Sequence, residues 1–142
     1  MKLPWNIIAI AVLVIFGFFL AGRSERERSQ LEKSTSREVK VVSLDPGDSS
    51  YFWLLKGDPD TKSLRSGLVT LAPGKSIGAY NSGTNEEMLV PLEGQGEIRF
   101  PDHSPVAIKP GLIAYAPAHT EHDVANTGST RLRYIFITAK VE

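Results

Sequence analysis

Residues 78–96 read GAYNSGTNEEMLVPLEGQG, and they contain one short apolar run between two glycine-containing stretches. The run itself, residues 88–92, is rich in aliphatic side chains and is typical of a β-strand. Pro91 lies within it, and because proline cannot donate to a strand ladder, an edge position or a bulge is predicted there. Gly94 and Gly96 follow at the end of the run. The stretch therefore predicts a strand bounded by turns.

The chain beyond this stretch repeats the same pattern. Runs of β-branched, aromatic and aliphatic residues alternate with turn sequences such as Asp45-Pro46-Gly47-Asp48 and Lys109-Pro110-Gly111. No helical periodicity separates these runs, which is typical of a β-sandwich or barrel. The last run alternates side chains in a way that predicts a strand at least half buried. Together with residues 88–92, the predicted strands are residues 39–44, 51–55, 68–71, 97–100, 106–108, 112–115 and 132–138.

A second stretch, residues 111–126, reads GLIAYAPAHTEHDVAN. Gly111, Pro117, His122 and Asn126 stand there at the spacing of the second motif of the cupin family, which this stretch resembles. Residues 78–96 resemble the first cupin motif, since six residues separate Glu87 from a glycine. The resemblance extends over roughly residues 67–138. It implies an all-β, cupin-like jelly-roll barrel of two antiparallel sheets.

The resemblance also implies a metal site that is incomplete in this chain. Family enzymes hold a divalent metal through two His and one Glu of the first motif and one His of the second. Glu87 and His122 stand at two of these positions. The other two are held by Tyr80 and Ser82, or by Asn81 and Gly83, depending on the gap before Glu87. Hydroxyls and amides are poor ligands for transition metals, so we expect no cofactor, with a divalent transition metal held by Glu87 and His122 as the alternative.

The same resemblance implies a pocket at the mouth of the barrel. His119, which stands where the second motif has a glycine, is a further candidate ligand if its turn directs it inward. Without a metal, His122 is expected to hydrogen-bond to Glu87 or Tyr80. The candidate pocket residues are Tyr80, Ser82, Glu87, Tyr115, His119 and His122.

The N-terminus has a different character. Twenty residues, 3–22, carry no charge and are mostly apolar, and as a helix they would span roughly 30 Å, the thickness of a bilayer core. A cleaved signal peptide is the rival interpretation, but bulky residues stand where a cleavage site needs small ones. We therefore predict a transmembrane anchor at residues 1–22, with Trp5, Phe16, Phe18 and Phe19 as its membrane-anchoring aromatic residues.

Residues 23–38 alternate in charge and predict a juxtamembrane stalk, followed by the β-domain at residues 39–142. Basic residues are more numerous after the anchor than before it, so the positive-inside rule favours a cytoplasmic domain at the cell (inner) membrane. Export of the domain is the alternative orientation, because many N-terminal anchors keep only their short tail inside.

Composition excludes several functions. The 142 residues contain no Cys, which rules out a disulfide scaffold, a thiolate metal site and a Cys nucleophile. The 16 Lys and Arg balance 16 Asp and Glu, which argues against nucleic-acid binding.

Two functions from different classes remain. The first is a membrane-anchored, non-catalytic cupin-like module, an accessory or assembly subunit whose partners are the lipid bilayer and other membrane-protein subunits. The second is a metal-dependent dioxygenase or isomerase, or a small-molecule sensor, that uses Glu87 and His122. Edge strands could also pair two copies into a homodimer.

Overall fold

The computed structural model describes residues 39–141. Within this range the chain forms two antiparallel sheets, of five strands in the order β1-β2-β9-β4-β7 and of four in the order β3-β8-β5-β6. The described residues contain no helix, so the expected all-β architecture is confirmed. In chain order the strands are Tyr51–Leu55 (β1), Leu64–Leu71 (β2), Tyr80–Asn81 (β3), Asn85–Glu93 (β4), Gly96–Arg99 (β5), Val106–Ile108 (β6), Ala114–Ala116 (β7), Glu121–Ala125 (β8) and Leu132–Lys140 (β9).

The core is built by alternation along the central strands. In β9, Leu132, Tyr134 and Phe136 are buried, while the residues between them are only partly covered. Successive side chains of a strand point to opposite faces, so these three share one face of the five-stranded sheet. The half-buried last strand that the sequence predicts is confirmed. The buried cluster consists of Val69, Leu71, Leu89, Ile98, Ile108, Val124, Leu132, Tyr134 and Phe136.

Strand β4 carries the irregularity that Pro91 predicts. Its ladder with β9 is regular from Asn85 to Pro91 and then shifts register between Pro91 and Glu93. Its pairing with β7 covers only residues 87–89, so Pro91 needs no donor on that side. The predicted bulge is thereby confirmed, and it follows the pair of Pro91 with Tyr134.

The strand predicted at residues 39–44 is wrong. These residues form no strand, and Val39 and Val41 are 97% and 96% exposed. A β-prone segment becomes a strand only when a neighbouring strand accepts its hydrogen bonds, and here no strand pairs with it. Its observed contacts are a bond from Arg133 to the Leu44 carbonyl and an ion pair between Lys40 and Asp60.

Two strands of the structure have no counterpart among those predicted. Strand β3 has only two residues, and β8 has the sequence EHDVA, in which three of five side chains are polar. Such a composition carries little β-propensity, and pairing with neighbouring strands fixes both segments instead. Both strands carry candidate site residues.

The remaining sequence predictions on topology concern the N-terminus. No helix in residues 39–141 is long and apolar enough to cross a membrane. The predicted anchor, with Trp5, Phe16, Phe18 and Phe19, and the predicted stalk at residues 23–38 lie outside the described residues.

Candidate functional site

Strand β4 turns a carboxylate toward the interior of the barrel. Glu87, Leu89 and Pro91 alternate with outward-facing residues and are all buried, so Glu87 occupies what is otherwise an apolar face. It lies opposite Thr138 of β9 and is only 4% exposed. A buried carboxylate needs hydrogen-bond or charge partners to offset its lost hydration. Two such partners come from the opposite sheet.

Tyr80 and His122 supply these partners because of the β3–β8 register. The two residues are directly paired across the strands, so their side chains share one face and their ring centroids lie 4.5 Å apart. The Tyr80 hydroxyl donates to Glu87 Oε2 at 2.6 Å, and His122 Nε2 lies 3.5 Å from the same oxygen. His122 is 1% exposed. The structure thus brings these three predicted residues together.

The protonation of His122 follows from its neighbours. Nδ1 lies 3.2 Å from the Thr120 carbonyl, which only accepts, so Nδ1 carries a hydrogen. Nε2 has no hydrogen bond within residues 39–141 and faces the Glu87 carboxylate. Burial lowers the pKa of His122, but the Glu87 carboxylate, the Thr120 carbonyl and Asp123 together outweigh it, so the pKa is raised above the ordinary value of 6.5. The site therefore favours an imidazolium–carboxylate pair.

The phenol of Tyr80 is held in its neutral form. Burial raises the pKa of Tyr80 most, and the hydrogen bond to Glu87 and the charge of that carboxylate raise it further. A protonated phenol that donates to Glu87 is a poor metal ligand and a poor base. Tyr80 therefore acts here as a partner for the carboxylate.

Ser82 and His119 belong to the turns next to the site. Ser82 is buried, with its hydroxyl donating to the Pro117 carbonyl and accepting from the Thr120 amide, each at 3.1 Å. His119 is exposed and has a positive φ of 60°. This is the left-handed region that favours glycine, the residue that the cupin motif has at this position. Neither residue lines the cavity described below.

Tyr115 lies on the outside of the five-stranded sheet. It is 55% exposed, and its hydroxyl donates to Glu86 Oε1 at 2.8 Å. It pairs with outward-facing Met88, whose neighbour Glu87 points inward. Because successive residues of β4 point to opposite faces, Tyr115 shares the outer face with Met88 and lies away from the predicted pocket.

Asn126, the last residue of the second motif, has a structural role. Its buried amide nitrogen donates to the carbonyls of Leu71 and Thr130, each at 2.8 Å, and its oxygen accepts from the Gly128 amide at 2.9 Å. These bonds hold the β8–β9 turn against the end of β2. The motif spacing identifies position 126 in the sequence, and these hydrogen bonds explain why an asparagine stands there.

A cavity of about 560 Å³ opens beside Glu87, within the usual size range of small-molecule sites. Its walls are the inner face of the five-stranded sheet and the segment that leads into β3. Sequence reasoning missed most of the walls, including Tyr51 and Phe136. The lining residues are Ser50, Tyr51, Val69, Leu71, Ser76, Ile77, Gly78, Ala79, Tyr80, Glu87, Tyr134, Phe136 and Thr138.

A larger concavity of about 660 Å³ lies between residues 45–50 and the ends of β2 and β9. It contains none of the predicted site residues. Its Arg131 and Arg133 are engaged by Glu93, at 3.0 and 3.7 Å. The smaller cavity, which holds Tyr80 and Glu87, is therefore the candidate functional site.

The donor set beside that cavity does not fit a transition metal. Within residues 39–141 no three His, Asp or Glu side chains are grouped to hold an ion. Glu87 and His122 supply one carboxylate and one imidazole, and the third nearby group is the protonated Tyr80 phenol. Iron, manganese and zinc sites in proteins usually need three or more stronger ligands.

Comparison with known proteins agrees with this fold. The cupin domain model matches residues 67–138. The cupin domain of Schizosaccharomyces pombe Cnp3 is 20% identical, with a TM-score of 0.63 over 72% of this chain and 70% of that one. A Bacillus halodurans protein is 22% identical, with a TM-score of 0.64 over 77% and 86% of the two chains.

An RmlC-like cupin with a double-stranded β-helix fold, from Methanocaldococcus jannaschii, is 19% identical, with a TM-score of 0.61 over 72% and 91% of the two chains. No curated protein matches the sequence. The barrel of two antiparallel sheets, with Glu87 inside it, defines the class of fold. Because the cupin model covers half of its residues, the chain belongs to the cupin family.

Proposed function

We propose that this chain is a membrane-anchored, non-catalytic cupin module that serves as an accessory or assembly subunit of a membrane protein complex. In this proposal residues 1–22 are the anchor, residues 23–38 the stalk and residues 39–142 the barrel, on the cytoplasmic side of the inner membrane. The uncharged stretch 3–22 and the basic residues that follow it support the membrane part.

The observation that carries the non-catalytic part is the bond from Tyr80 to Glu87. A phenol stands where the resemblance implies an imidazole ligand, and it donates to the oxygen that would otherwise be free to bind a metal. His122 is buried and does not line the cavity. Toward the cavity the three residues thus present a carboxylate already bonded to a phenol, and no imidazole.

Restoring one imidazole tests this part. The full chain, purified in a maltoside detergent without a His-tag, is expected to carry far less than one equivalent of manganese, iron, nickel or zinc. The Tyr80→His variant adds an imidazole beside Glu87 and His122 and is expected to gain metal. Asn81→His is the matched control, because Asn81 is exposed and its neighbour Tyr80 is the residue that faces Glu87.

Near-stoichiometric metal in the wild-type chain, lost in His122→Ala, would overturn the proposal and favour the metal-dependent enzyme. Equal metal in Tyr80→His and Asn81→His would show that the barrel site is not the place of binding.

The accessory role is tested by its dependence on the anchor. The full chain with a C-terminal tag is extracted from native membranes in mild detergent and purified. We expect a membrane-protein subunit to co-purify in a fixed ratio, and to be lost when residues 3–22 are replaced by an unrelated apolar span of equal length. A chain that elutes alone in every mild detergent would contradict the proposal.

A second candidate function is a small-molecule sensor, and the cavity beside Glu87 favours it. At about 560 Å³, with aromatic walls and one carboxylate, it has the size and composition of a ligand site. A sensor of this kind binds its ligand without transforming it, so it is compatible with a non-catalytic accessory subunit.

A further inference from the structure

The cavity beside Glu87 has an uneven charge. Among the side chains that line it, Glu87 is the single acid, and none is Lys, Arg or His. The balancing charge in the neighbourhood, His122, lies 3.5 Å from Glu87 Oε2 and is not among the lining residues. A ligand that enters therefore meets a carboxylate and hydroxyl groups, with no Lys, Arg or His side chain in the lining to attract an anion.

Aromatic rings form much of the remaining wall. Tyr51, Tyr80, Tyr134 and Phe136 all line the cavity, from Tyr51 at the mouth, 46% exposed, to Tyr134 in the interior, 1% exposed. Tyr51 and Phe136 lie side by side, with ring centroids 5.5 Å apart and planes tilted by 30°. The face of an aromatic ring carries negative charge density, so rings that surround a cavity favour an organic cation.

The field of the carboxylate reaches these rings. After burial, which is the larger cause, the charge of Glu87 raises the pKa of Tyr51 and of Tyr134, as it also does for Tyr80. Three phenols from three strands thus line the same cavity as one carboxylate. An anion in the same space would meet this charge without a countercharge in the lining.

Metal ions and organic cations differ in how strongly they are hydrated, and this difference decides which of them the cavity suits. A metal ion loses a tightly bound water shell and needs several oxygen or nitrogen ligands in return, which this cavity does not provide. An alkylated ammonium group is weakly hydrated and apolar on its surface, so aromatic rings and one carboxylate suffice for it. The lining matches that chemistry.

We propose that the cavity binds a small organic cation of the alkylammonium class, held against the rings of Tyr51, Tyr134 and Phe136 that line it and directed by Glu87. This inference rests on the second candidate function, that the cavity binds a small molecule, and it names the class of that ligand.

Calorimetric titration of the full chain in a maltoside detergent tests it, with choline and tetramethylammonium as probes. The neutral comparison is 3,3-dimethylbutan-1-ol, which has the shape of choline with carbon in place of nitrogen. We expect both cations to bind, and the neutral alcohol to bind at least about tenfold more weakly.

Two pairs of variants locate the binding. Glu87→Gln removes the charge and keeps the shape, and we expect it to weaken choline binding by about tenfold or more; Glu86→Gln, the next carboxylate on the outer face, is its matched control. Tyr51→Leu removes a ring at the mouth and is expected to weaken binding. Phe52→Leu is its control, since Phe52 follows on the same strand and does not line the cavity.

The possible results distinguish the cation inference from the proposal that the cavity is a small-molecule sensor site. Equal affinity for choline and its neutral analogue would overturn the cation inference while leaving a small-molecule site. Binding that Glu87→Gln and Tyr51→Leu leave intact would place the cation elsewhere and overturn it too. No binding of any probe at millimolar concentration would overturn both the inference and the sensor. If Glu87→Gln fails to fold, the comparison of Tyr51→Leu with Phe52→Leu decides whether the cation binds in this cavity.

Discussion

At the scale of single residues, the site depends on the pair of His122 and Glu87. Burial disfavours the charged form of His122, and the nearby carboxylate favours it. The titratable groups that face His122 are Tyr80 on β3, Glu87 on β4 and Asp123 beside it on β8. Burial acts against the imidazolium, and the two carboxylates act for it. Because the net effect raises the pKa of His122, the folded protein holds a proton that the unfolded chain releases more readily.

This proton makes part of the stability depend on pH. A raised pKa in the folded state contributes stability that is fully present below the unfolded pKa of about 6.5 and is lost as the pH rises through the folded pKa. We therefore expect the melting temperature of the wild type to exceed that of His122→Gln most at low pH, and the difference to shrink as the pH rises.

Thermal melting followed by far-UV circular dichroism, from about pH 5.5 to pH 8.5, measures this difference across the ordinary titration range of His. His103→Gln is the control, because His103 is exposed between two strands and lies outside the candidate site. A difference that grows with pH would mean that burial dominates and that the folded state prefers neutral His122.

At the scale of elements, turns position the strands. Two glycines in such turns allow the effect of a left-handed backbone to be distinguished from the effect of steric crowding. Gly74 and Gly94 have nearly the same positive φ, 72° and 76°. A Cβ at Gly74 would meet nothing within 4 Å, whereas one at Gly94 would lie 2.2 Å from the Arg131 carbonyl oxygen. The β4–β5 turn thus passes too close to the chain before β9 for any side chain.

Substitution by alanine should reveal the two costs separately. Gly74→Ala is expected to cost about 1–2 kcal/mol, the price of the left-handed conformation alone. Gly94→Ala adds a clash with backbone that cannot rotate away, so we expect about 1–3 kcal/mol more. Denaturant or thermal unfolding of both variants checks this, and equal losses would show that the β4–β5 turn relaxes freely.

At the scale of the whole molecule, the buried core of residues 39–141 lies within the barrel. Every member of the buried cluster falls between residues 69 and 136, and residues 39–44 are exposed and unpaired by any strand. Two sheets that bury a shared core are enough for an independent domain of about 100 residues. Strands β1 and β7 are the edges of the larger sheet, and a homodimer through such edges stays a prediction.

We therefore expect residues 39–142, produced without the N-terminal part, to be soluble and to give the circular dichroism and dispersed NMR spectra of a folded β-protein. A fragment of residues 56–142 is the matched control. It lacks β1, so it exposes the edge of β2 and loses Tyr51 from the cavity, and it should be markedly less stable. A longer fragment that is insoluble or unfolded would show that the barrel depends on the N-terminal segment.

The sequence predicts features that depend on spacing along the chain. Alternation identifies β9 and its buried face, Pro91 predicts the bulge in β4, and motif spacing selects Glu87 and His122. Each is a local pattern, and strand geometry converts it directly into a position. Local patterns fail where a segment needs a partner, as residues 39–44 and strand β8 demonstrate.

By itself, then, the sequence determined the all-β class, the cupin resemblance and the absence of two imidazoles from the first motif. Only the tertiary structure decided that Tyr80, rather than Asn81, meets Glu87, that Tyr115 and His119 stay outside, and that Tyr51, Tyr134 and Phe136 form the walls of the cavity. The physical reason is that the outcomes on strands depend on the register of strands distant in sequence, while His119 follows the turn between β7 and β8. A shift of one residue in that register would turn each strand side chain to the opposite face.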